Sequence, residues 1–278
     1  MAILFLAAVP LALLAWFILQ PRWVERRRAR LRDRPFPAAW REILRRRVPY
    51  FHRLPGELQR QLEGHIQVFL DEKEFVGCAG QEIDDEVRVT VAAQACLVLL
   101  NRRPRYFPSL RQVLVYPGPF VVERLRHEPS GVLQETRNAL AGESWVHGQV
   151  ILSWEDTVAG AADAHDGRNV VIHEFAHQLD QEKGFANGAP LLPARRRYES
   201  WSTVLLAEFQ RLQAAIAMGE PTLLSPYGAT NPAEFFAVAS EVFFEQPDLM
   251  AAAHPDLYAE LSRFYRVDPN KWGQSQLI

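Results

Sequence analysis

The stretch Asn169–Glu182, NVVIHEFAHQLDQE, decides how the rest of the chain is read. It places His173 and His177 four residues apart, with Glu174 directly after the first histidine. On a helix this spacing sets both imidazoles on one face, about 5–6 Å apart, near enough to hold one cation between them. Glu174 then stands beside that face, where a carboxylate can take the proton of an activated water. The apolar residues VVI, Phe175, Ala176 and Leu179 give the same helix a buried side, so the polar cluster lies against the core. A buried His-Glu-His cluster without a partner is costly, and Zn2+ is the partner that fits its chemistry.

A catalytic zinc ion takes three protein ligands, so this motif is incomplete. The strongest place to look for the third is NPAEFFAVASEVFFE, residues 231–245. Phe235, Phe236, Val238, Val242 and Phe243 mark a helix packed into the core, with Asn231 as its cap and Pro232 at its first position. Glu234 and Glu241 lie seven apart and so share a face. Spacing leaves the ligand open between them, and Glu234 also falls where a capping-box acid belongs. His165 precedes the motif too closely for a third ligand, and the remaining histidines have no metal spacing. Asp180, two turns beyond His173, is either a hydrogen-bond partner that fixes a ligand imidazole or a solvated acid of the last turn. Tyr227, in SPYGATN, is either a donor to a developing oxyanion or an ordinary core or surface tyrosine.

The surrounding chain has 278 residues, 48% of them hydrophobic, enough for one large domain with an appendage. Cys78 and Cys96 have no CxxC partner and read as buried thiols in a reducing compartment. Charge is uneven: residues 21–53 hold twelve arginines against Glu25, Asp33 and Glu42, which leaves the rest of the chain at −11 within a total of −2. The arm belongs near phosphates or anionic lipid, and the acidic body is a poor candidate for direct nucleic-acid binding. Ahead of the arm, Ala2–Leu19 is uncharged and mostly apolar, with Trp16 and Trp23 where an interfacial belt would lie. As a helix it spans about 27 Å. The expectation is a transmembrane anchor over 2–20, a basic juxtamembrane arm and first helix over 21–48, and the main domain over 49–278. The arginines after the apolar run place that domain on the cytoplasmic side of an inner membrane, with a soluble cytoplasmic chain as the alternative.

Along the body, residues 36–73 read as two helices separated at Pro49 and Pro55. FVGC is a short strand, Asp84–Leu100 a buried helix, and QVLVYPGPFVV and GQVILSW are β-type runs with turn material between them. GQVILSW is also a candidate edge strand for an extended peptide. EDTVAGAADAHDGRN reads as an acidic loop, KGFANGAPLLP as a Gly/Pro-rich loop, and residues 195–218 and 255–269 as further helices. Helices, then strands, then helices make an α+β plan, mainly helical with a small β-sheet.

NVVIHEFAHQLD together with PYGATNPAEFFAVASEVFFE resembles the zinc metallopeptidase family typified by Mlc titration factor A, over roughly Pro49–Pro269. The resemblance implies a zincin-like domain with a gluzincin-like site, related in layout to that of anthrax lethal factor. In matching motif positions it makes His173, His177 and Glu234 the metal ligands, Glu174 the general base and Tyr227 the transition-state donor. Glu241 is left as a supporting residue beside Asp180. It also implies aminopeptidase-type hydrolysis of a peptide or protein substrate, and a transcription-repressor partner in sugar phosphotransferase control. A binding regulator that sequesters a transcription repressor, with peptidase activity secondary, and a membrane-bound processing endopeptidase are the rival readings.

Overall fold

The computed structural model describes residue 16 and residues 19–127, 133–140, 142–145 and 148–273. Residues 19–32 form helix α1. Prolines divide the next forty residues: Pro37, Pro49 and Pro55 each stand immediately before a helix, α2 (Ala38–Arg47), α3 (Tyr50–Arg53) and α4 (Gly56–Glu72). A proline disfavours helix in the residue before it and suits a helix start, so the breaks fall where the ring forces them.

Strand β1 (Glu74–Gly77) leads into α5 (Asp85–Leu97), capped by Asp84, whose side chain accepts from the Val87 amide at 2.9 Å. Every residue of α5 from Val89 to Leu97 is buried. Then come β2 (Gln112–Tyr116), β3 (Phe120–His127), β4 (Leu133–Leu140), β5 (Gly142–Trp145) and β6 (Gln149–Ser153). The main sheet has the order β1-β2-β6-β5, with β1, β2 and β6 parallel and β5 antiparallel on β6; β3 and β4 pair separately as an antiparallel ribbon. The C-terminal part is helical: α6 (Trp154–Ala162), α7 (Val170–Asp180), α8 (Arg195–Met218), α9 (Pro232–Glu245), α10 (Pro247–Ala253) and α11 (Pro255–Tyr265). The fold is therefore α+β and mainly helical.

Aromatic packing holds α7 and α9 in place. Phe175 of α7 meets Phe69 and Phe107 with ring centroids 5.6 and 4.8 Å apart. Phe236 and Phe243 of α9 pack on Tyr265, and Phe236 also meets Trp201 of α8. Such rings bury large apolar areas, so both helices have a firm floor.

Several expectations change. The acidic run after Trp154 is not wholly a loop, because Ser153 caps α6 through a 3.2 Å contact from the Asp156 amide, and Glu155 and Asp156 occupy its first turn. The run GQVILSW is no edge strand: β6 lies between β2 and β5. Cys78 is only half-buried, whereas Cys96 is buried.

The transmembrane anchor is not supported. No helix among the described residues is long and apolar enough to cross a membrane, and most of the 2–20 segment lies outside those residues. The basic arm also makes contacts its composition did not announce. Arg27 pairs with Asp71 at 2.7 Å, Arg28 holds Glu72 by two contacts of 2.7 and 2.8 Å, and Arg41 holds Glu63 at 2.7 and 3.0 Å. Arg46 and Arg47 both reach Glu86. These arginines face carboxylates of α4 and α5.

Candidate metal centre

The site forms where α7 and α9 face each other. Asn169 caps α7: its Oδ1 accepts from the Ile172 amide at 2.9 Å, and its Nδ2 donates to Gln94 Oε1 on α5 and to the Gly160 carbonyl on α6. Its backbone amide donates to Glu241 Oε2 at 2.6 Å. One asparagine thus joins four helices at the start of the histidine helix. Sequence reading passed over it, although an Asn before an apolar helical run is a usual cap signal.

Helix α9 starts with Asn231, whose Oδ1 accepts from the amides of Ala233 and Glu234 at 2.9 and 3.0 Å. The Glu234 side chain turns toward α7, where its Oε2 lies 3.0 Å from His173 Nε2 and 3.3 Å from His177 Nε2. Two turns on, Glu241 Oε1 lies 2.7 Å from His173 Nδ1. The two acids that spacing left undecided approach His173 from opposite sides of its ring. Glu234 alone meets both histidines on their Nε2 side, and Glu241 holds the back of one.

Donor atoms of His173, His177 and Glu234 all lie within 4.8 Å of one another, a group able to hold a metal ion. Two imidazoles and a carboxylate form a common zinc donor set, so the residues fit such an ion. Burial by itself favours a neutral His173, yet hydrogen bonds with Glu234 and Glu241 raise its pKa well above the ordinary histidine value. Burial likewise pushes Glu234 upward, but its bonds to His173 and His177 and their charge hold it well below the usual carboxylate range. A metal ion held there would require both imidazoles neutral on the coordinating nitrogen and the carboxylate ionised.

Glu174 is buried beside His173, and both line a cavity of about 480 Å³ that also takes in Tyr227, Asp156 and Asp166. Tyr227 sits in a short 3-10 turn, Pro226–Ala229, with its ring 5.9 Å from that of His173 and 52% exposed. Gly228 lets this turn rest on α9, since a Cβ there would meet Val238 at 3.3 Å.

Asp180 is buried rather than solvated, and it holds the loop that follows α7. Its Oδ2 accepts from the amides of Asn187 and Gly188 at 2.7 and 2.6 Å, pinning the KGFANGAPLLP loop to the end of α7. Gly188 has φ +77°, and a Cβ there would lie 2.4 Å from the Pro232 carbonyl at the start of α9. Only glycine fits that close approach.

Residues 22–266 match the sequence profile of the family described as glucose-regulated metallo-peptidase M90. The chain belongs to this M90 metallopeptidase family. An uncharacterized protein of Synechocystis is 39% identical over 260 residues, covering 93% of this chain and 94% of that protein. Mlc titration factor A of Escherichia fergusonii is 35% identical, covering 83% of this chain and 86% of the relative. The Cronobacter sakazakii protein of the same name is 36% identical, with 84% and 87% covered. The M90 match takes in all of α7 and α9 and begins within α1.

Proposed function

We propose that the protein is a zinc-dependent peptidase in which His173, His177 and Glu234 hold the metal. The observation that carries this reading is their convergence within 4.8 Å beside a cavity lined by Glu174 and Tyr227. Zinc bound there would supply Lewis-acid activation of water and of the scissile carbonyl. Glu174 takes the proton from the attacking water and later delivers it to the leaving amine. The Tyr227 phenol, exposed on the cavity wall, donates to the oxyanion that develops on the carbonyl. Glu241 keeps the His173 ring turned so that Nε2 points at the metal position.

The carboxylates of Asp156 and Asp166 on the same cavity favour a substrate with a free, positively charged amino terminus, as in aminopeptidase action. With zinc content unchanged, Glu174→Gln should lower kcat by about 10²–10⁴-fold. Undiminished turnover in that variant would sink the mechanism.

A second reading draws on the relatives called Mlc titration factor A: the protein binds a transcription repressor, and hydrolysis is secondary. Repressor capture by both wild type and Glu174→Gln supports a dual role, and its absence in both removes this reading.

A further inference from the structure

A second cavity, of about 590 Å³, opens among the turn after α5, the loop before α8, the first turn of α8 and the end of α11. Arg102, Arg103, Arg197, Arg263 and Arg266 all line it. Arg197 and Arg263 share Glu260, at 2.9 and 2.7 Å, and Ser200 donates to the same carboxylate. Among the described residues, no ion pair within 4.0 Å joins a carboxylate to Arg102, Arg103 or Arg266, and the Glu182 carboxylate acts on Arg102 only from farther off. Arg102 Nη1 is buried and has no hydrogen-bond partner. Like charges gathered at the rim of an otherwise acidic body repel one another, and an anion relieves that cost.

The cluster is built rather than loosely strewn over the surface. The Arg102 guanidinium lies 4.2 Å over the Phe264 ring, which fixes its plane. Asn101 and Arg266 are both non-glycine residues with positive φ, 55° and 59°, and Asn101 Nδ2 donates to the Arg266 carbonyl at 3.1 Å. Left-handed backbone at such residues is costly and persists where surroundings hold it. The two arginine-bearing turns are therefore clamped side by side.

We propose that this cavity binds a phosphorylated small molecule, with the phosphate on Arg102, Arg103 and Arg266 and the organic part against Leu191–Pro193. A single carboxylate is satisfied by one guanidinium fork, as Glu72 is by Arg28. Several guanidinium groups lining one cavity from different chain segments suit the tetrahedral oxygens and higher charge of a phosphate. Leu191, Leu192, Pro193 and Phe264 add the apolar wall that small-molecule sites usually have. The same loop is fastened further back to Asp180 of α7 and pressed on Pro232 of α9 through Gly188. Occupancy orders a segment whose other end rests on the metal-bearing helices. The inference does not depend on the peptidase reading.

Phenyl phosphate, titrated calorimetrically into the full-length zinc-loaded protein against sodium chloride at equal ionic strength, tests it. Binding is expected with phenyl phosphate and not with chloride, and Arg102→Gln or Arg266→Gln should weaken it by about tenfold or more. Arg103→Gln, at an exposed position, gives the same reading even where the other two variants fold poorly. Amide exchange over residues 187–197 should slow when the ligand binds. An equal response to chloride, or unchanged affinity in Arg103→Gln, overturns the site. Binding lost in His177→Ala but kept in the arginine variants would put the phosphate at the metal centre and also overturn it. Unchanged exchange over 187–197 on binding would overturn the ordering of the loop.

Discussion

Along α7 and α9 the side chains of His173, His177, Glu234 and Glu241 are between 10% and 18% exposed, and each meets a partner on the facing helix. Along the N-terminal helices Arg41 and Arg46 are 36% and 52% exposed, and they too meet carboxylates, on α4 and α5. Contact distances are alike in the two regions, but their surroundings are not. Water and salt screen the arginine pairs, so each contributes little. Between α7 and α9 a lost partner leaves a buried polar group with nothing to replace it. Depth, rather than the number of charges, decides where substitutions matter.

The largest effect on folding stability should come from Asn169→Ala. The change removes a helix cap, worth about 1 kcal/mol, and leaves Gln94 Oε1 and the Gly160 carbonyl without their donor inside the protein. Each buried group left unsatisfied adds about 1–3 kcal/mol, so a total loss of about 3–7 kcal/mol is expected by urea denaturation. A loss under about 1 kcal/mol would show that the four helices meet at this point without needing the asparagine.

Legibility in the sequence tracks local signals closely. His173, Glu174 and His177 announce themselves by spacing, and Asn231 with Pro232 marks where α9 begins. The choice between Glu234 and Glu241 was not legible from spacing, because residues two turns apart share a face and only the nitrogen of His173 that each one meets tells them apart. The loop contacts of Asp180 were illegible for a related reason: its partners, Asn187 and Gly188, come from a segment with no periodicity to place it. Helix α6 was missed because Ala and Gly supply little apolar pattern, while β4 and β5 are too polar to stand out. Most pairings of the arm were not legible either: the carboxylates that meet Arg27, Arg28, Arg41, Arg46 and Arg47 lie 22 to 44 residues away and leave no local trace.

A middle-sized effect is expected for Glu241→Gln. The carboxylate serves two groups at once, His173 Nδ1 at 2.7 Å and the Asn169 amide at 2.6 Å. A carboxamide has one oxygen, so it can accept from only one of two N–H donors and turns its own NH2 toward the other. His173 then loses its fixed orientation, and zinc affinity should fall by about 10–100-fold in a chelator competition. Unchanged affinity would mean that packing alone, including the His173–His177 ring contact at 4.9 Å, orients the ligand.

The smallest effect belongs to Arg41→Gln. Arg41 grips Glu63 with Nε at 2.7 Å and Nη2 at 3.0 Å, a two-point contact that looks as well made as any in the metal centre. Yet the arginine is 36% exposed, and its charge remains hydrated when the partner is lost. A double-mutant cycle of Arg41→Gln with Glu63→Gln should give a coupling of about 0.2–1 kcal/mol that shrinks as salt is raised. A larger coupling that resists salt would mean that α2 and α4 exclude water as α7 and α9 do, and depth would then no longer separate the two regions.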